Sequence, residues 1–187
     1  MSLKRALVLV LALAACREDV TQNTDPVELT PEAVGYFCQM NMLEHPGPKG
    51  QAHLEGLPGM PLFFSQARDL VAYVRLPEQS HKILAIWVSD MGAPGATWDA
   101  PGKANWIDAE TAWYVVGSAV EGGMGAQEFV PFADRDKARA FADANGGSVM
   151  RLAEIPDALV IPPEQPDTGE DPDYERRLRD LSDQTGG

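Results

Sequence analysis

The sequence predicts an α+β fold of two ββαβ-type units packed together, flanked by a disordered tether and an acidic tail. Three observations lead there. A short apolar run, an amphipathic helix pattern and a strand pattern follow one another twice. A further strand pattern precedes each copy. Polar, proline-bearing segments at 17–32 and 162–187 bound the core on both sides, with too little apolar content to pack.

In the first copy, Pro61-Leu62-Phe63-Phe64 is the apolar run, and Ser65 is the expected N-cap. Ala67, Leu70, Val71 and Val74 recur at helical spacing until Pro77 ends the helix, and Ile83 to Val88 reads as a buried strand. In the second copy, Phe129-Val130-Pro131-Phe132 leads to Asp134 as N-cap. Lys137, Ala138, Phe141 and Ala142 continue helically, Asn145-Gly146-Gly147 stops the helix, and Ser148 to Leu152 reads as a strand. Aligning Phe64 with Phe132 also pairs Ala72 with Ala140 and Tyr73 with Phe141. The preceding strands are expected at Ala52 to Leu57 and Ala112 to Ser118. One helix covers one face of a small sheet, so two packed copies bury more than either alone. The expected organisation is 1–15 signal peptide, 16–32 tether, 33–100 first unit, 101–161 second unit and 162–187 acidic tail.

Lys4 and Arg5 precede a nine-residue apolar run, Ala6 to Ala14. That is too short to span a bilayer, which needs roughly 20 apolar residues, and it fits the core of an export signal. Leu13-Ala14-Ala15-Cys16 resembles the lipobox of bacterial lipoproteins, in which the chain is cut before a cysteine that then carries lipid. The expected location is the periplasm, anchored by Cys16 to the envelope, at the outer membrane. Cleavage removes two basic residues and moves the formal charge from −13 to −15. So acidic a chain argues against nucleic acid and anionic lipid as partners, since both require a basic face.

With Cys16 lipidated, Cys38 is the one thiol left and has no disulfide partner. It stands in Phe37-Cys38-Gln39-Met40-Asn41-Met42, with Glu44 and His45 behind. Thiolate and thioether are soft donors that select Cu(I), whereas zinc sites favour Cys, His and carboxylate. Cys38, Met40 and Met42 in an extended strand would share one face about 7 Å apart per step, too far for one ion unless the chain bends. A turn after Met42, near Pro46-Gly47-Pro48, is one way to bend it. The bland alternative is two methionines and a cysteine as core fillers. His45, His53 and His81 are candidate imidazoles, and His45 is best placed by sequence. Met124, in the glycine loop Glu121-Gly122-Gly123-Met124-Gly125, is flanked by little that could pack against it; Met60 and Met91 also neighbour glycines.

These residues carry a resemblance. Cys38-Gln39-Met40-Asn41-Met42 and Glu44-His45-Pro46-Gly47-Pro48-Lys49-Gly50-Gln51 resemble the NosL family. So do Pro61 to Ser65, Trp113 to Ser118, and Met124-Gly125 leading to Val130-Pro131-Phe132. The resemblance spans about residues 5–161. It implies a Cu(I) chaperone of the periplasm that supplies the copper–sulfide centre of nitrous oxide reductase through a NosD-type protein and its ABC transporter. It implies copper ligation by Cys38 with Met40 or Met42 and Met124, and with histidine as a further donor. It also implies two ββαβ halves similar to a domain of organomercurial lyase. No catalysis and no small-molecule substrate are expected. The rival readings are a scaffold lipoprotein that binds no metal, and an enzyme using Cys38 as nucleophile, for which the sequence marks no base.

Overall fold

The two copies of the pattern fold into two antiparallel sheets with one strand order. In the first, β1 (Gly50–Leu54) lies between β2 (Leu62–Phe64) and β3 (Ile83–Ser89), and helix α1 (Ala67–Arg75) connects β2 to β3. In the second, β5 (Trp113–Val116) lies between β6 (Val130–Phe132) and β7 (Ser148–Arg151), and α2 (Arg135–Asn145) makes the same connection. Phe64 pairs with Gly50 and Phe132 with Trp113, so the two aligned phenylalanines each face the first residue of the central strand in their sheet. The chain is seen here in a computed structural model that describes residues 21–79, 81–160 and 176. The expected signal peptide, Cys16 and, Arg176 apart, the expected acidic tail lie outside the described residues.

A strand that the sequence reading does not foresee, β4 (Trp106–Asp108), joins the free side of β3 and extends the first sheet past residue 100. Three residues are too few to show a period of two. The second helix starts and stops as expected. Asp134 accepts hydrogen bonds from the amides of Asp136 at 2.8 Å and Lys137 at 3.0 Å, and Gly146 takes φ 77° at the C-cap. The first does not start as expected. Its N-cap is Gln66, whose side chain caps nothing, while Ser65 stands one residue too early.

Each helix covers one face of its sheet. Ala67, Leu70, Val71 and Tyr73 of α1 are buried, and full burial of a side chain such as Leu70 or Val71 contributes about 1.5–3 kcal/mol. The core under α2 gathers Val115, Val130, Phe132 and Ala138, with Met91 and Trp98 packed against it. The halves are stitched at Asp90-Met91: the Met91 amide donates to Pro131 O at 2.9 Å, and Ala133 N donates to the Asp90 carboxylate at 3.0 Å.

The described part of the expected tether is fastened to the first sheet. Gln51 accepts from Val27 N at 2.9 Å and donates to Val27 O at 3.1 Å, so one side-chain amide satisfies both backbone groups of Val27. Trp87 Nε1 donates to Thr24 O at 2.9 Å, and Gln22 Nε2 to Leu54 O at 2.8 Å. The described residues up to Ile155 form one compact unit. Beyond it, α3 (Asp157–Val160) is a single short helix.

Candidate metal centre

Val34 to Asn41 folds back on itself. Gly35 N donates to Met40 O at 2.9 Å and Gln39 N to Gly35 O at 2.9 Å, with Val34 and Asn41 bridged. The reversal needs one residue in the left-handed region, and Gln39 takes it at φ 54°. The bend thus falls between Cys38 and Met40, ahead of the place near Pro46 where the sequence suggests a turn. It separates the three sulfur-bearing residues. Met40 is 40% exposed on the outside, whereas Met42 begins a 3-10 turn (Met42–Glu44) and is fully buried against Leu29, Ala33, Phe63 and Trp106.

Cys38 and Met42 converge on Gly35. A β-carbon there would lie 2.5 Å from Cys38 Sγ and 3.6 Å from Met42 Sδ. Glycine is what leaves both sulfurs in one small space. Cys38 is half-buried, and its thiol donates to Ser65 Oγ at 3.6 Å. This is the work Ser65 does in place of capping the helix.

Lys49 sits directly behind. It is almost wholly buried, and its ammonium donates to four carbonyls: His45 O at 2.7 Å, Gly47 O at 2.8 Å, Pro46 O at 3.1 Å and Ser65 O at 3.3 Å. Burial lowers its pKa to about 8, opposed by the nearby acidic groups Glu128 and Cys38. Glu128 is fully buried and comes from the second half. One of its oxygens accepts from Arg68 N and Phe129 N, both at 2.9 Å, and so caps α1 in the place of a local side chain. Burial raises this carboxyl to about 8 against those two amides. His45 Nε2, Gln66 Nε2 and Glu128 Oε2 are buried and have no hydrogen-bond partner among the described residues.

The Met124 loop leans on this region. Its base is closed by the Glu121–Gln127 bridge and by Gly122 N donating to Ala126 O at 2.8 Å, leaving Met124 46% exposed at the tip. A β-carbon on Gly123 would lie 3.2 Å from both His45 Cβ and Pro46 Cδ. One on Gly122 would lie 2.8 Å from Glu128 Oε2 and would collide with the Gln66 amide. Both glycines are required by close approach rather than by backbone conformation.

The fold therefore brings Cys38 to Met42, and the Met124 loop to His45, with Lys49 and Ser65 linking the two pairs. Met40 is not drawn in. Met91 packs in the second core, Met60 is exposed, and His53 is buried and bonded through Nε2 to Gln51 at 3.1 Å. Among the described residues no three of His, Cys, Asp and Glu gather as a metal site would need, so the donors on offer are soft sulfurs and one imidazole. Gly35, Ser65, Lys49, Gln66 and Glu128 are absent from the sequence-based candidates. Lys49 and Ser65 do lie within segments that carry the family resemblance.

Known proteins resemble this chain over the same region. The family model described as NosL matches residues 26–160. A copper-binding lipoprotein NosL of Achromobacter cycloclastes is 58% identical over 94% of this chain and 92% of its own length. One from Stutzerimonas stutzeri is 35% identical over 83% of this chain and 80% of its own. The crystal structure of the copper chaperone NosL from Shewanella denitrificans superposes with a TM-score of 0.66 at 30% identity, over 73% of this chain and 98% of that one.

Proposed function

Since the chain belongs to the NosL family, we propose that it binds one Cu(I) ion per chain and passes it on as an envelope copper chaperone. Cys38 and Met42 hold the ion, and His45 and Met124 complete or exchange its coordination. The observation that carries this reading is the convergence of Cys38 Sγ and Met42 Sδ on the space above Gly35. A thiolate and a thioether in that space form a soft, charge-neutralising pair suited to Cu(I).

The chemistry of transfer follows from what each residue offers. Cys38 is half-buried rather than sealed, so a partner's thiolate, thioether or imidazole reaches the ion before the first ligands let go. Met42 is held by packing and stays fixed, whereas Met124 stands exposed on its loop and is free to close over or withdraw. Met40, on the outer side of the turn, is the soft donor that an approaching partner meets first. Lipid on Cys16 would keep the site at the membrane and raise its effective concentration there. The recipient in this proposal is the assembly of nitrous oxide reductase, reached through a NosD-type protein and its ABC transporter, in the periplasm and from the outer membrane.

The test is copper content after anaerobic purification, followed by competition titration against a Cu(I) chelator. One Cu(I) per chain is expected, with Met124→Ala weakening it roughly ten- to a hundredfold, about 1.4–2.8 kcal/mol. Metal-free protein from copper-replete cells, or tight tetragonal Cu(II) binding, would overturn the proposal in favour of a scaffold or an enzyme. Full affinity in Met124→Ala would confine the site to residues 38–45.

A further inference from the structure

We infer that Lys49 is the residue that makes the Cys38 site discriminate against divalent metal ions, an inference that rests on the copper reading above. Four backbone carbonyls surround Lys49 Nζ, between 2.7 and 3.3 Å away. Carbonyl oxygens only accept, so a nitrogen held by all four is satisfied as the three-donor ammonium and poorly as a neutral amine. The cation is also fixed. Its partners are main-chain atoms of His45, Pro46, Gly47 and Ser65, segments that are themselves pinned by packing and by Gly123.

Ser65 measures how near this charge lies to the thiol. Its carbonyl accepts from Lys49 while its hydroxyl accepts from Cys38. One residue separates the cation from the metal's anionic donor. Solvent does little to screen the cation from its side, since Lys49 is 1% exposed.

The charges then decide between ions. Cu(I) on a thiolate with neutral thioether or imidazole donors forms a group of zero net charge, which a neighbouring ammonium tolerates. A divalent ion on the same donors leaves one uncompensated positive charge beside a second that cannot move away. Glu128, the other acidic group near Lys49, is engaged by the amides of Arg68 and Phe129. Soft donors choose among metals by type; Lys49 would add a choice by valence.

Ag(I) and Cd(II) test this without redox complications, since both are soft and neither changes oxidation state. The protein is the full chain carrying Cys16→Ser, so that Cys38 is the one thiol. The Ag(I)-to-Cd(II) affinity ratio is measured by competition in this chain and in its Lys49→Met and Lys49→Arg variants. Lys49→Met should raise Cd(II) affinity relative to Ag(I) at least tenfold, and Lys49→Arg should keep the parent ratio. An unchanged ratio in folded Lys49→Met, or both affinities falling together, overturns the inference while leaving the copper site standing. Failure of the parent chain to bind Ag(I) through Cys38 overturns both. A second measurement needs no change at Lys49. The ratio of Cys38 alkylation by anionic iodoacetate to that by neutral iodoacetamide should exceed the same ratio for N-acetylcysteine amide, a free thiol with no carboxylate of its own. A ratio at or below the free thiol's would show that no fixed cation faces Cys38.

Discussion

At Asp134 the second helix begins as an isolated helix would, with its own cap one residue before the first turn. At Gln66 the first helix begins without one and takes a carboxyl oxygen from Glu128, some sixty residues away in the other half. The same strand order surrounds both helices. The difference extends inward: Lys49, Gln51, His53, Ser65, Gln66 and Ser89 are buried polar groups of the first half, while the core beneath α2 is apolar. A half that supplies its own cap and an apolar core is complete as a structural unit. A half that leaves its helix start to a distant residue has its local polar groups free for something else, here Ser65 for the Cys38 thiol and Lys49 for the loop around His45.

The comparison separates most sharply at its two centres. Cys38→Ser should cost at least three orders of magnitude in Cu(I) affinity, about 4 kcal/mol, with an almost unchanged melting curve. Val130→Ala, in the second core, should do the reverse and cost roughly 2 kcal/mol of stability with affinity preserved. If the Val130 variant lost copper in step with stability, the halves would not divide the work in this way.

Gly35→Ala comes next. The added methyl must displace the Cys38 thiol, so Cu(I) affinity should fall ten- to a hundredfold, about 1.4–2.8 kcal/mol, as read by chelator competition. An alanine variant with full affinity would show that the two sulfurs do not need that space.

The two caps should also answer pH in opposite senses. Burial raises Glu128 from its ordinary 4.5 to about 8, so the folded state holds a proton that the unfolded chain releases. That stability is fully present below 4.5 and lost as pH climbs toward 8. Asp134 is lowered by the amides of Lys137 and Asp136, so its contribution is present above 3.8 and fades as pH falls. Melting temperatures from pH 4 to 8 should therefore decline less steeply in Glu128→Gln than in the parent chain. A parallel decline in both would remove Glu128 as the cause.

The smallest effect sharpens the cap assignment itself. Asp134→Ala should lower the melting temperature slightly, because two amides lose their acceptor. Ser65→Ala should leave α1 as stable as before and show its effect only in the reactivity of Cys38 toward alkylating reagents.

Local information carried far along this chain. The repeat was legible because apolar residues at helical and strand spacing report which face of each element is covered, and both copies have the same order. Asp134 and Gly146 were legible because a cap acts within its own turn. The soft-donor character of Cys38, Met40, Met42 and Met124 was legible because residue type alone fixes that preference.

What only the tertiary structure decided is how these parts meet. An alternation of Cys38, Met40 and Met42 could run straight or turn, and the left-handed residue Gln39 with the Gly35–Phe63 bridge made it turn, parting Met40 from Met42. Ser65 had the composition of a cap and became the partner of a thiol, because Glu128 from the other half had already satisfied the helix amide. Lys49 looks in sequence like any surface lysine; only the enclosing carbonyls of His45, Pro46, Gly47 and Ser65 make it a buried cation. Hydrogen-bond and packing partners brought together across dozens of residues leave no periodic trace, since what selects them is the complementarity of surfaces that exist only once the two sheets are in place.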